Sequence, residues 1–78
     1  MKKLNTQKIY TLSEIVETGV MQPYRKSLPG VRQMVLNDRN QQNVLDAMIT
    51  GKANNRRYFI KGRNIQQLKK KLENGYDI

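Results

Sequence analysis

The sequence contains no cysteine, no histidine and no tryptophan, and Phe59 is its one phenylalanine. Without thiols there are no disulfide staples, and with no imidazole either the common zinc-ligand sets cannot be assembled. The composition suits a reducing compartment, and a cytoplasmic location is expected. No apolar run follows the charges of Met1-Lys2-Lys3-Leu4, so no signal peptide is read there, and no stretch is long enough to cross a bilayer. Acids are scarce as well, six Asp and Glu against fifteen Lys and Arg. Acid–base, nucleophilic and two-metal chemistry therefore have little to work with. Glu14 and Glu17 lie close on one helix, but Glu14 serves a cap. The expectation is a chain that is not an enzyme and holds no cofactor or metal.

What remains is cationic. A net charge of +9 and a pI near 10.2 on 78 residues give a strongly positive field that attracts polyanions. Nucleic acid is the expected partner. An anionic membrane is not, because surface binding needs a basic amphipathic helix with bulky apolar anchors. The length allows one small core with a thin stability margin. Residues 1–8 read as a loose basic arm, 9–74 as the folded domain and 75–78 as a tail.

Thr11-Leu12-Ser13-Glu14 has the Thr-x-x-Glu form of a capping box. Leu12, Ile15 and Val16 follow at helical spacing and Gly19 stops the run, so a first helix is predicted over Leu12 to Thr18. Val20 to Lys26, with Pro23, reads as a connection. Pro29 suits the first turn of a second helix that carries Val31, Met34 and Val35 as its apolar stripe. The polar run Asn37 to Asn43 ends it. Val44 to Thr50 fits a helix or a strand. The β-rich run Arg56 to Lys61 needs a partner, which favours a hairpin closed by the turn 51–55. A last helix opens at Gly62, with Asn64 as its cap and Ile65, Leu68 and Leu72 facing inward. It stops at Asn74-Gly75. The fold expected is α+β, mostly α: helix, helix, hairpin wing, helix, a winged helix-turn-helix.

Tyr10-Thr11-Leu12-Ser13-Glu14-Ile15 resembles the opening of small excisionase-type and MerR-like DNA-binding proteins. Arg57-Tyr58-Phe59-Ile60-Lys61-Gly62, followed by Asn64-Ile65, looks like the second wing strand and final helix of the same family. The resemblance spans roughly residues 9–73, but the connection Val20–Ser27 is longer than a tight helix-turn-helix turn, and an Asn/Gln-rich stretch precedes the wing. It implies a phage, transposon or other mobile-element protein that binds DNA for excision, transcriptional control or replication.

The residues expected at DNA follow from their chemistry. Arg32, Gln33 and Asn37 lie off the apolar stripe of the second helix and can make paired hydrogen bonds to base edges. Lys52, Asn54, Asn55, Arg56 and Arg57 crowd the hairpin tip and the strand behind it, where cations meet phosphates or the minor groove. Arg25 and Lys26 stand before the second helix, placed to hold a phosphate at its N-terminus or to serve as a charged linker. Tyr58 and Phe59 point to opposite faces of their strand. Core packing is the expected use of both, with base stacking open to an outward ring. Duplex DNA is favoured over single strands, with a recombinase as companion. The competing expectation is an adaptor for a primase, polymerase or helicase, which an exposed apolar patch at Met21, Leu36 or Met48 would favour.

Overall fold

A computed structural model describes residues 4–52 and 55–78. Six elements run along the described chain: β1 (Ile9–Thr11), α1 (Leu12–Thr18), α2 (Leu28–Arg39), β2 (Met48–Thr50), β3 (Arg57–Lys61) and α3 (Gly62–Glu73). The result is a small α+β unit of three helices and a three-stranded antiparallel sheet in the order β1-β3-β2.

The expected elements have local causes. Thr11 caps α1, its side chain accepting from the Glu14 N–H while the Glu14 carboxylate accepts from the Thr11 N–H, both at 3.2 Å. Gly19 ends the helix with a φ of 70°. Ser27 caps α2 by accepting from the Gly30 N–H at 3.2 Å, with Pro29 in the first turn. Val31, Met34 and Val35 then face inward at helical spacing. Val20 and Met21, in the connection, are also core residues, so Met21 lends nothing to an exposed patch.

Four expectations are corrected. Strand β1 was not foreseen; it pairs Ile9 with Lys61 and Thr11 with Phe59, and makes β3 the central strand. The first hairpin strand is only Met48–Thr50, not 44–50. Asn43 and Asp46 take left-handed φ values of 51° and 45°, and Asp38 captures the N–H groups of Val44 and Leu45, so no sheet ladder forms there. The cap of α3 is Lys61 without a side-chain bond, while Asn64 lies inside the helix and donates to the Leu45 carbonyl at 3.0 Å. The stretch 4–8 is not a loose arm. Leu4 packs on the core, the Asn5 N–H donates to the Tyr10 hydroxyl at 2.9 Å, and Lys8 pairs with Glu14 at 2.7 Å. Residues 1–3 lie outside the described residues.

Two glycines are fixed by close approach. A Cβ on Gly62 would stand 2.1 Å from the Asn5 carbonyl oxygen, so this position lets the N-terminal turn lie against the start of α3. Gly51 opens the hairpin turn with a φ of 86°, and a Cβ there would stand 2.3 Å from the Asn55 carbonyl oxygen.

The core lies between the helices and one face of the sheet, where Tyr10, Tyr58 and Ile60 meet Ile15, Val31, Met34, Val35, Ile65 and Leu68. Among the described residues Asp38 is the one buried charge. It continues the apolar stripe of α2 and accepts from the Val44 N–H at 3.0 Å, the Leu45 N–H at 2.9 Å and the Tyr76 hydroxyl at 3.0 Å. Removing a carboxylate from water is tolerable only when its lone pairs are filled this way. The same network docks the segment after α3, since Tyr76 and Ile78 pack on the core. Burial, and then the hydrogen bond to Asp38, raise the Tyr76 phenol above its ordinary pKa.

Candidate nucleic-acid interface

Capping and strand register bring Arg32 to the consecutive pair Arg56 and Arg57. Ser27 sets the start of α2, and the stripe Val31, Met34, Val35 turns the helix so that Arg32 stays exposed. Central strand β3 aims Tyr58 and Ile60 inward and leaves Arg57 exposed at its start, with Arg56 just before it. Arg32, Arg56 and Arg57 then line one groove of about 320 Å³, with Thr11, Leu28 and Phe59 on its walls. Among the described residues, no acid lines this groove. None of the three arginines has a carboxylate partner among the described residues, where Lys8–Glu14 is the only ion pair. Uncompensated cations around a concave surface concentrate positive potential there.

The other expected contacts distribute differently. Gln33 donates to the Asn37 side chain at 2.8 Å along the exposed side of α2, so this pair is preorganised beside the groove rather than in it. Lys52 and Asn55 are exposed on the hairpin turn, which the Asn55 N–H closes onto the Lys52 carbonyl at 2.7 Å. Asn54 lies outside the described residues. Lys26 is exposed next to the α2 cap. Arg25 is not aimed at the helix N-terminus. Its guanidinium donates to the Tyr24 carbonyl at 3.0 Å and the Ile78 carbonyl at 2.5 Å, which holds the C-terminal segment in place.

A second groove of about 580 Å³ was not foreseen. It lies between the 6–9 turn and the start of α3 and is lined by Lys61, Arg63, Gln66 and Gln67. The signal in the sequence was faint, because these residues alternate with the apolar stripe of α3 and read as an ordinary wet helix face. Phe59 is the other surprise: Tyr58 is buried as expected, whereas Phe59 is only half-buried on the opposite face of the sheet. Met48 is 60 % exposed on that face, and Leu36 is half-buried against the core.

Among the described residues no cluster of three or more His, Cys, Asp or Glu is placed to hold a metal ion. No helix among them is long and apolar enough to cross a membrane. Comparison with protein-family models, characterised proteins and solved structures gives no match.

Proposed function

We propose that the chain is a non-enzymatic DNA-binding protein of winged helix-turn-helix type, gripping duplex DNA with the exposed side of α2 and the basic hairpin. The convergence of Arg32, Arg56 and Arg57 in one acid-free groove carries the reading. Arg32 meets there the consecutive pair Arg56 and Arg57, 24 and 25 positions further along the chain, all three as unpaired cations with the right charge for a phosphate backbone. Gln33 and Asn37 stand beside it with the paired donors and acceptors that read adenine. The order helix, helix, hairpin, helix and the resemblance to excisionase-type and MerR-like proteins support a role in a mobile element, as excisionase or transcriptional regulator.

The test is duplex affinity across a salt series, on a site selected from random sequence and on unselected duplex. Binding should fall steeply with salt, by about 0.9 in log–log slope per neutralised phosphate. Gln33→Ala should narrow the gap between selected and random duplex by about 1–3 kcal/mol. Absence of binding at low salt sinks the reading, and equal affinity for every duplex removes base recognition from it.

The adaptor reading keeps a narrower support. Of the three apolar residues that would form its patch, Met48 is open while Met21 is buried and Leu36 half-buried.

A further inference from the structure

Beyond Arg57, the outer face of the sheet is left unused by the duplex reading. In the register of the sheet, Ile9 opposes Lys61, Thr11 and Met48 both oppose Phe59, and Thr50 opposes Arg57. Directly opposed residues share a face, and here it is the one turned away from the core. Along β3 this face reads cation, ring, cation: Arg57, Phe59, Lys61, with neighbours about 7 Å apart because alternate residues of a strand are two rises of about 3.4 Å apart. Thr11 and Met48 stand on either side of the ring, Met48 being 60 % exposed, and Ile9, 54 % exposed, stands beside Lys61. None of these outward-facing strand residues is acidic, and the Glu14 carboxylate, which accepts from the Thr11 hydroxyl at 3.2 Å, is already paired with Lys8. The face also joins the two basic grooves, since Arg57 and Phe59 border the arginine groove and Ile9 and Lys61 border the groove of Arg63, Gln66 and Gln67.

We propose that an unpaired nucleic-acid strand lies along β3 on this outer face, with a base stacked on Phe59 and its flanking phosphates at Arg57 and Lys61. The charge of the track fixes a polyanion as occupant, and the ring fixes its unpaired state. In a duplex the base faces are covered by their neighbours and only edges reach the grooves, whereas an unpaired strand offers a face to an aromatic platform. The strand would run from the arginine groove across Phe59 to Lys61 and Arg63. This site shares Arg57 and the edge of the arginine groove with the duplex reading but adds Phe59 as a platform and Lys61 and Arg63 beyond it, so single-strand and duplex binding are told apart by Phe59, Lys61 and Arg63.

The probe is an oligothymidylate of about 12 nucleotides, within the footprint of single-strand modules, measured beside a duplex. Phe59→Leu, which keeps an apolar side chain on the groove wall but loses the platform, should weaken oligothymidylate binding roughly 5- to 150-fold and weaken duplex binding far less, because the groove keeps its three arginines. Phe59→Trp should retain it. Should Phe59→Leu fail to fold, the exposed pair Lys61→Gln with Arg63→Gln serves instead: the salt slope for the single strand should drop by about 1.4, at about 0.7 per contact, with the duplex slope intact. Oligouridylate in place of oligothymidylate tells whether RNA or DNA is the better strand, and Phe59-dependent binding of either supports the site. No single-strand binding at low salt, or a loss equal for both probes, overturns it. Loss of duplex recognition with Phe59-dependent single-strand binding intact would reject the duplex reading and keep this one.

Discussion

The two ends of α2 handle charge in opposite ways. Near its C-terminus Asp38 is fully buried and every donor around it is spent: two main-chain N–H groups and the Tyr76 hydroxyl converge on one carboxylate. Toward its N-terminus Arg32 is exposed and joins Arg56 and Arg57 around a groove with no acid among its lining residues. A buried charge must be satisfied from within because its desolvation would otherwise cost several kcal/mol. An exposed cation costs little and contributes little to folding. The satisfied end is therefore architecture, and the unsatisfied end is where a partner gains the most.

The sharpest way to break that division is Asp38→Ala. It strands the buried Leu45 N–H and two part-buried donors, the Val44 N–H and the Tyr76 hydroxyl, and together these losses destabilise by about 3–5 kcal/mol, at about 1–3 kcal/mol for each unsatisfied group. That is most of the margin of a chain this size. Urea denaturation should show a large drop, with the 43–46 segment and the C-terminal residues gaining hydrogen exchange first. Unchanged stability would mean that the network is not what holds α2, the loop and the tail together.

The opposite end should respond in reverse. Replacing Arg56 and Arg57 with Ala should leave the melting temperature almost unmoved, because neither side chain is buried or paired. Duplex affinity should fall about tenfold or more and the salt slope by about 1.8, at about 0.9 per phosphate. A variant that loses its fold together with its binding would show the arginines to be structural, and the contrast with Asp38 would collapse.

Tyr76→Phe sharpens the comparison at smaller scale. It deletes one of three donors to Asp38 and should cost about 1 kcal/mol. Because burial holds the Tyr76 phenol above its ordinary value of 10.0, the folded protein keeps this proton more tightly than the unfolded chain does. Its stabilisation is whole below that pH and declines as pH rises through the raised pKa. The wild type should lose stability on the alkaline side more steeply than Tyr76→Phe; parallel curves would place the phenol in solvent.

How far the sequence disclosed all this depends on the range of the interaction. Helix α1 was legible to the residue, because its capping box and Gly19 act within a turn of the chain. The inward stripes of α2 and α3 were legible for the same reason. Strand β1 was not, since three residues carry no period and exist as a strand only because β3 passes beside them. Asp38 was hidden in a polar run, although it stands three and four residues after Val35 and Met34 and so continues their stripe. That spacing, together with an acid, was the available signal. Arg32, Arg56 and Arg57 were legible as residue types, but their meeting in one groove is a product of tertiary packing. The hold of Arg25 on the Ile78 carbonyl was not legible, because the two lie 53 positions apart.

The smallest effect belongs to Lys8, a cation that falls on the satisfied side of the division despite lying on the surface. Its ammonium pairs with Glu14 at 2.7 Å and stands 5.1 Å from the Tyr10 ring centre, tying the N-terminal turn to the α1 cap. The hydrogen bond from Lys8, and then that from the Thr11 backbone, hold the Glu14 carboxyl below its ordinary pKa, and the bond to Glu14 holds Lys8 above its own. A depressed carboxyl contributes stability that is present above its unfolded value and lost as pH falls through the folded one. A raised amine contributes stability that is present below its unfolded value and lost as pH rises through the folded one. The pair therefore supports the fold across the neutral range and fades at both extremes. Lys8→Gln should slightly lower the melting temperature near neutrality and flatten the acid limb of its pH profile, with the gap closing in high salt as the exposed pair is screened. Since its charge is already taken by Glu14, the same variant should leave the salt slope of duplex binding where it was, unlike loss of Arg56 and Arg57. A slope that falls by about one unit on removing Lys8, with no change in the acid limb, would move this residue to the DNA-facing side and show that an ion pair in the free protein does not withhold a cation from DNA.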